Sequence, residues 1–104
     1  VEVHEEFYFK LKWAQPADQI TPLIQVQIEK ENHTVAWAWE RPDGGRSFGF
    51  SGLHFHQNWK LDSYQRMLAQ SVRWILKREI PKSGVRVNLD ATDFVPPPQP
   101  DYKK

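Results

Sequence analysis

The chain has 104 residues, 14 Lys and Arg against 13 Asp and Glu, a formal net charge of +1 and no cysteine. That length supports one hydrophobic core, and charges spread along the sequence form no basic stripe, so nucleic acid is not an expected partner. The lack of thiols excludes cysteine-based zinc sites, redox pairs and a cysteine nucleophile. No run approaches the roughly 18 apolar residues that a membrane helix needs, so a membrane is not expected either; cofactors and compartment stay open.

From Glu6 to Trp13 the residues alternate, Phe7, Phe9, Leu11 and Trp13 against Glu6, Tyr8, Lys10 and Lys12. Period two predicts a strand with one wet face. Gln15 to Gln19, with Pro16 and Asp18, reads as a turn. Ile24, Val26 and Ile28 then alternate with Gln25, Gln27 and Glu29, which predicts a second half-buried strand. In Thr34 to Glu40, Val35, Trp37 and Trp39 share one face and the small Ala36 and Ala38 the other, so a close-packed neighbour is expected on the alanine side. Arg41-Pro42-Asp43-Gly44-Gly45 is a turn, because proline presets φ and glycine accepts positive φ. Arg46 to Leu53 resumes extended structure and completes a β-hairpin.

Past Trp59 the period lengthens. Tyr64, Met67, Leu68, Ser71, Val72 and Ile75 fall at three- and four-residue spacing, predicting an amphipathic helix over Asp62 to Arg78, with Asp62 and Gln65 as a capping box. Ile80-Pro81 and Ser83-Gly84 stop it. Val85 to Leu89 offers a short edge strand, but Pro96, Pro97, Pro98 and Pro100 favour an extended, solvated tail or linker over residues 85–104. There is no internal repeat. About four strands and one long helix make an α/β unit over residues 1–84, its sheet mostly antiparallel.

Thr34-Val-Ala-Trp-Ala-Trp39, Gly45-Arg46, the strand closing in His54, Trp59 five residues on, and Val72-Arg-Trp74-Ile-Leu76 occur in the order and spacing of a known pattern. They resemble the C-terminal half of the trehalose-utilisation (ThuA-like) domain family, a relative of the class I glutamine amidotransferase-like, flavodoxin-like fold. Glu5-Glu6-Phe7-Tyr8 is similar to that family's "D-E-x-Y", and Thr21-Pro22-Leu23-Ile24 to the strand that follows it. The resemblance spans residues 4 to 78. It implies carbohydrate metabolism, with a sugar or sugar derivative as ligand, and a doubly wound sheet whose earlier strands would lie in an N-terminal half outside this sequence. The family's "L-G-H" reads Gly52-Leu53-His54 here, so the local backbone is expected to differ. Leu53-His-Phe-His56-Gln also resembles the "Q-F-H-P-E" of amidotransferases, and either His could hold that place.

His54 and His56 follow a predicted strand and precede a helix, where open α/β sheets bind ligands. An imidazole there could act as general acid or base on a sugar hydroxyl or carbonyl. Glu6 could orient it or accept a sugar hydroxyl, so His54 and Glu6 are the catalytic candidates. His56, Tyr8 and Trp59 are the substrate-binding candidates. Tyr8 shares Glu6's face, and Trp59 could stack on a sugar ring or staple its loop to the core. No metal is expected; His54 and His56 would be its ligands if one bound. Arg46 flanks the turn and is expected to be solvated, while Trp37, Trp39 and Trp74 belong to the core. The absence of a Gly-rich phosphate cradle, a Gly-x-Ser-x-Gly elbow and His-Glu-x-x-His argues against a self-sufficient hydrolase. Two functions stand open: part of a sugar-acting protein, or a non-catalytic module that binds glycan or protein. An exposed sheet edge and apolar face also predict self-association or pairing with the missing half.

Overall fold

The computed structural model describes residues 2–13 and 19–95. It is a small α/β unit. Strands β1 (Thr21–Ile28), β2 (Glu31–Glu40) and β3 (Arg46–Phe50) form an antiparallel sheet in that order, and helix α1 (Asp62–Ile75) follows. A two-residue turn at Glu29 and Lys30, both with positive φ (51° and 69°), joins β1 to β2. Such a turn matches the right-handed twist of the strands it connects. The β1 register slips by one residue and returns between Pro22 and Gln25, beginning where proline has no N–H to donate.

The Arg41–Gly45 turn closes the second hairpin as expected. Gly44 N–H donates to the Arg41 carbonyl (2.9 Å), Arg41 N–H to the Gly45 carbonyl (2.7 Å), and Gly44 takes φ 87°. The Asp43 carboxylate accepts the Gly45 N–H at 2.8 Å. That bond is the main reason Asp43 sits below its ordinary pKa, despite a small opposing desolvation.

Helix α1 lies on the alanine side of the sheet. Val35 and Ala36 are fully buried, and Ala38 and Tyr64 nearly so. Tyr64 meets Phe50 edge-on (centroids 5.2 Å apart), and the Arg46 guanidinium lies over the Trp74 ring at 4.8 Å. Arg46 is therefore not a solvated turn residue. It also donates to the Trp74 carbonyl (2.9 Å) and pairs with Glu40 (3.6 Å).

The segment from Glu6 to Trp13 is a correction. It makes no ladder bonds, so the described sheet has three strands, not four. Lys10 has φ 55°, which interrupts an extended run. The segment is held by side chains instead: Phe7 against Phe50 (6.1 Å), Phe9 against His33 (5.1 Å) and Trp13 edge-on to Trp37 (4.9 Å). The period-two pattern survives in part as burial: Phe7, Leu11 and Trp13 are half-buried while Glu6, Tyr8 and Lys12 are exposed, but Phe9 is exposed as well.

The helix ends at Ile75 rather than Arg78. Lys77 turns left-handed (φ 56°), with Lys77 N–H donating to the Trp74 carbonyl (3.1 Å) and Arg78 N–H to that of Arg73 (2.8 Å). These are the two bonds of a Schellman cap. The Asp62 and Gln65 capping box does not form, because Leu61 is the N-cap and Asp62 is already in the helix. Asp62 pairs with Arg66 (2.8 Å), and Gln65 donates to the Trp59 carbonyl (2.7 Å).

Val85 to Leu89 is not a strand. Val85 N–H donates to the Gln70 side chain (3.2 Å), and a short 3-10 helix, Ala91–Phe94, follows, with the Asp90 and Asp93 side chains capping it reciprocally. The Gln15–Asp18 part of the expected turn and the proline run from Pro96 lie outside the described residues. Among the described residues no helix is long and apolar enough to cross a membrane.

Candidate functional site

The loop from Ser51 to Leu61, which contains a short 3-10 helix at His56–Lys60, joins β3 to α1 and carries His54, His56 and Trp59. Its shape is set by a residue the sequence reading passed over. The Glu5 carboxylate accepts the Leu53 N–H (2.8 Å), the His54 N–H (3.1 Å) and the Asn58 side-chain amide (3.0 Å). The same amide nitrogen, on a buried residue, also donates to the His4 carbonyl (2.8 Å). Leu53 takes φ 66°, a conformation usually left to glycine, and this turns its N–H toward the carboxylate. Gly52 and Leu53 thus stand in the reverse of the order that would put glycine at the strained position.

Burial pushes the Glu5 carboxyl up in pKa. The N–H groups of Leu53 and Glu6, with the Asn58 and Tyr64 side chains, outweigh that and hold it below the ordinary value. Tyr64 faces Glu5, but its buried hydroxyl lies outside hydrogen-bonding geometry. Burial first, and then the Glu5 carboxylate, push the Tyr64 phenol up to about 12.

Fixing the loop by Glu5 places His54 beside the next residue of the N-terminal segment. His54 Nε2 lies 3.4 Å from Glu6 Oε2, with the side chains 45% and 62% exposed. Phe55 stands between two imidazoles, edge-on to His54 (5.0 Å) and stacked on His4 (4.9 Å). Nε2 faces the carboxylate, so Nδ1 is left for a ligand. A carboxylate at this distance can orient the ring, the arrangement general base catalysis uses.

The other candidates do not gather there. His56 Nε2 donates to the Phe94 carbonyl at 2.5 Å, so the two loop histidines engage different partners. Tyr8 is 69% exposed, and its carbonyl accepts the Ser51 hydroxyl (2.8 Å). Trp59 is 41% exposed. Among the described residues no three His, Asp or Glu side chains come together as metal ligands.

Among the described residues two grooves lie apart from the pair of His54 and Glu6. One groove, of ≈ 1060 Å³, is lined by His4, Phe7, Ile24, Val26, Phe50 and Tyr64 among others. A second, of ≈ 770 Å³, runs between β1 and α1 past Ala38, Phe48, Met67 and Trp74. Leu23, Ser63 and Met67 border both, and none of His54, His56, Glu6, Tyr8 and Trp59 lines either. Glu5 carried a signal in the sequence: by alternation it shares the inward side of Phe7, and a carboxylate among apolar neighbours needs donors. Asn58 carried none beyond its place beside Trp59.

No protein-family model matches the chain, and no curated protein or solved structure does so either.

Proposed function

We propose that the chain is part of a ThuA-like protein of carbohydrate metabolism and supplies a histidine–carboxylate pair to a site for a sugar or oxidised sugar. One observation carries this reading: His54 stands 3.4 Å from Glu6, on a loop that Glu5 pins to the N-terminal segment through two backbone N–H groups. Glu6 holds the imidazole, Nδ1 exchanges a proton with a sugar hydroxyl or the carbon beside a carbonyl, and the exposed Tyr8 and Trp59 offer aromatic faces to a ring. The family's flavodoxin-like sheet belongs to the same proposal. Its support is the motif order from Thr34 to Leu76, together with apolar surface that the described residues leave open at Leu23, Val72 and Leu76.

The test is an NMR titration of the chain with trehalose, glucose and a keto-sugar. Expected are shifts at His54, Glu6, Tyr8 and Trp59, and about tenfold weaker binding in His54→Asn, the loss of one charge-assisted hydrogen bond. No response to any of the three sugars defeats the proposal.

A second reading, a non-catalytic module that binds glycan or protein, is favoured by the exposure of the pair and its position outside both grooves. It is the right one if a sugar binds with unchanged affinity in His54→Asn and is never turned over.

A further inference from the structure

Strand β1 is an edge. Among the described residues it pairs only with β2. Its eight residues, Thr-Pro-Leu-Ile-Gln-Val-Gln-Ile, include no charged side chain. From Leu23 to Ile28 there is also no proline or glycine, and Leu23 is 51% exposed. Natural edges are commonly blunted by lysine, proline, a bulge or a covering element; here Pro22 and the register slip that ends at Gln25 blunt only the start of β1, and Gln25 to Ile28 carry none of these among the described residues. Ile24, Val26 and Ile28 have high β-propensity, and with no charge among the six residues this open edge is a pairing sequence.

The hairpin geometry says which backbone groups are free. Ile28 and Glu31 flank a two-residue turn and are register partners, as are Val26 and His33. In an antiparallel ladder the pair flanking such a turn is hydrogen-bonded and bonding alternates from there. Ile28 and Val26 therefore direct their N–H and C=O groups at β2, and Gln25 and Gln27 direct theirs outward.

We propose that β1 pairs antiparallel with β1 of a second copy of this chain, about a twofold axis through Val26. Gln25 then lies opposite Gln27 of the other copy, and Gln27 opposite its Gln25, so the outward donors and acceptors of these two residues meet. The neutrality of the strand selects this occupant. About that axis Ile24 to Ile28 of one copy lie opposite Ile28 to Ile24 of the other, a pairing that any charge near the axis would penalise, and none is present in this stretch; the charges of Glu29 and Lys30 stand beyond it, opposite Leu23 and Pro22. The result is one six-stranded sheet. The open side of each β1–α1 groove, bordered by Leu23, then faces its counterpart across the axis.

The experiment is sedimentation of the full chain over a concentration series, with a cysteine probe made clean by the lack of native thiols. Wild type is expected to dimerise. Gln25→Lys with Gln27→Lys, both at exposed positions, is expected to weaken the dimer about tenfold by opposing like charges. Mixing that variant with Gln25→Glu, Gln27→Glu restores it. Val26→Cys cross-links to itself on oxidation, while Gln25→Cys alone does so far less. A monomer at every concentration overturns the proposal, as does a dimer indifferent to the lysine pair while circular dichroism shows the variant folded.

Discussion

The Glu5 carboxylate accepts the Leu53 N–H at 2.8 Å, a contact across 48 residues of chain that seats the N-terminal segment against the loop carrying His54. Replacing Glu5 by Gln keeps the shape but removes the charge, and should cost about 1–2 kcal/mol, the worth of charge-assisted hydrogen bonds in a partly exposed setting. Because the folded pKa is lowered from 4.5, the native state binds fewer protons than the unfolded one. This contribution is full above the unfolded value and lost as pH falls through the folded one. Urea denaturation across that acid window should show the slope in the wild type and a flatter one in Glu5→Gln.

Tyr64→Phe should change stability near pH 7 by less than about 1 kcal/mol, because the buried hydroxyl it removes faces Glu5 outside hydrogen-bonding geometry. The alkaline limb differs. Tyr64 titrates at about 12 in the fold against 10.0 ordinarily. The protonated phenol's share of stability is therefore complete below the unfolded value and disappears as pH rises through the folded one. Ultraviolet titration should show one tyrosine ionising late, and that step should vanish in Tyr64→Phe.

A Cβ added at Gly49 would lie 2.2 Å from the Trp37 indole, the ring that Trp13 meets edge-on. Gly49→Ala should lose about 1–3 kcal/mol through overpacking. Thermal melts of the single and double variants with Trp37→Phe check the cause, since the smaller ring should recover part of the loss.

The β1–β2 turn uses Glu29 and Lys30 at positive φ, where Asn-Gly is the favoured pair. Glu29→Asn with Lys30→Gly should stabilise by about 1 kcal/mol, a rise in Tm of about 5 °C for a domain of this size.

That turn also shows where the sequence could be read and where it could not. The Arg41–Gly45 turn was legible because proline and glycine announce it, whereas Glu29-Lys30 is spelled with residues that normally avoid the conformation. Strands β1 and β2 followed from their alternation, and α1 from its helical spacing, although its end did not, because Lys77 holds the place where glycine usually marks the stop. Glu6 to Trp13 had the right alternation for the wrong reason: its side chains pack inward by turns, but nothing in a period-two pattern states whether the backbone finds a ladder. In the candidate site, His54 and Glu6 were nameable from motif position. Alternation showed Glu5 only as an inward carboxylate in need of donors, and Asn58 not at all, since their hydrogen-bond partners lie 48 to 54 residues away and local spacing does not name them.

The residues from Glu6 to Trp13 contribute no rungs to the sheet, so their amides should trade hydrogen with solvent long before those of β2. Such a segment can lift away and reseat while the strands stay whole. Glu6 rides on it and His54 does not. The pairing of that carboxylate with that imidazole is thus conditional: whatever displaces eight residues of chain also disarms the histidine.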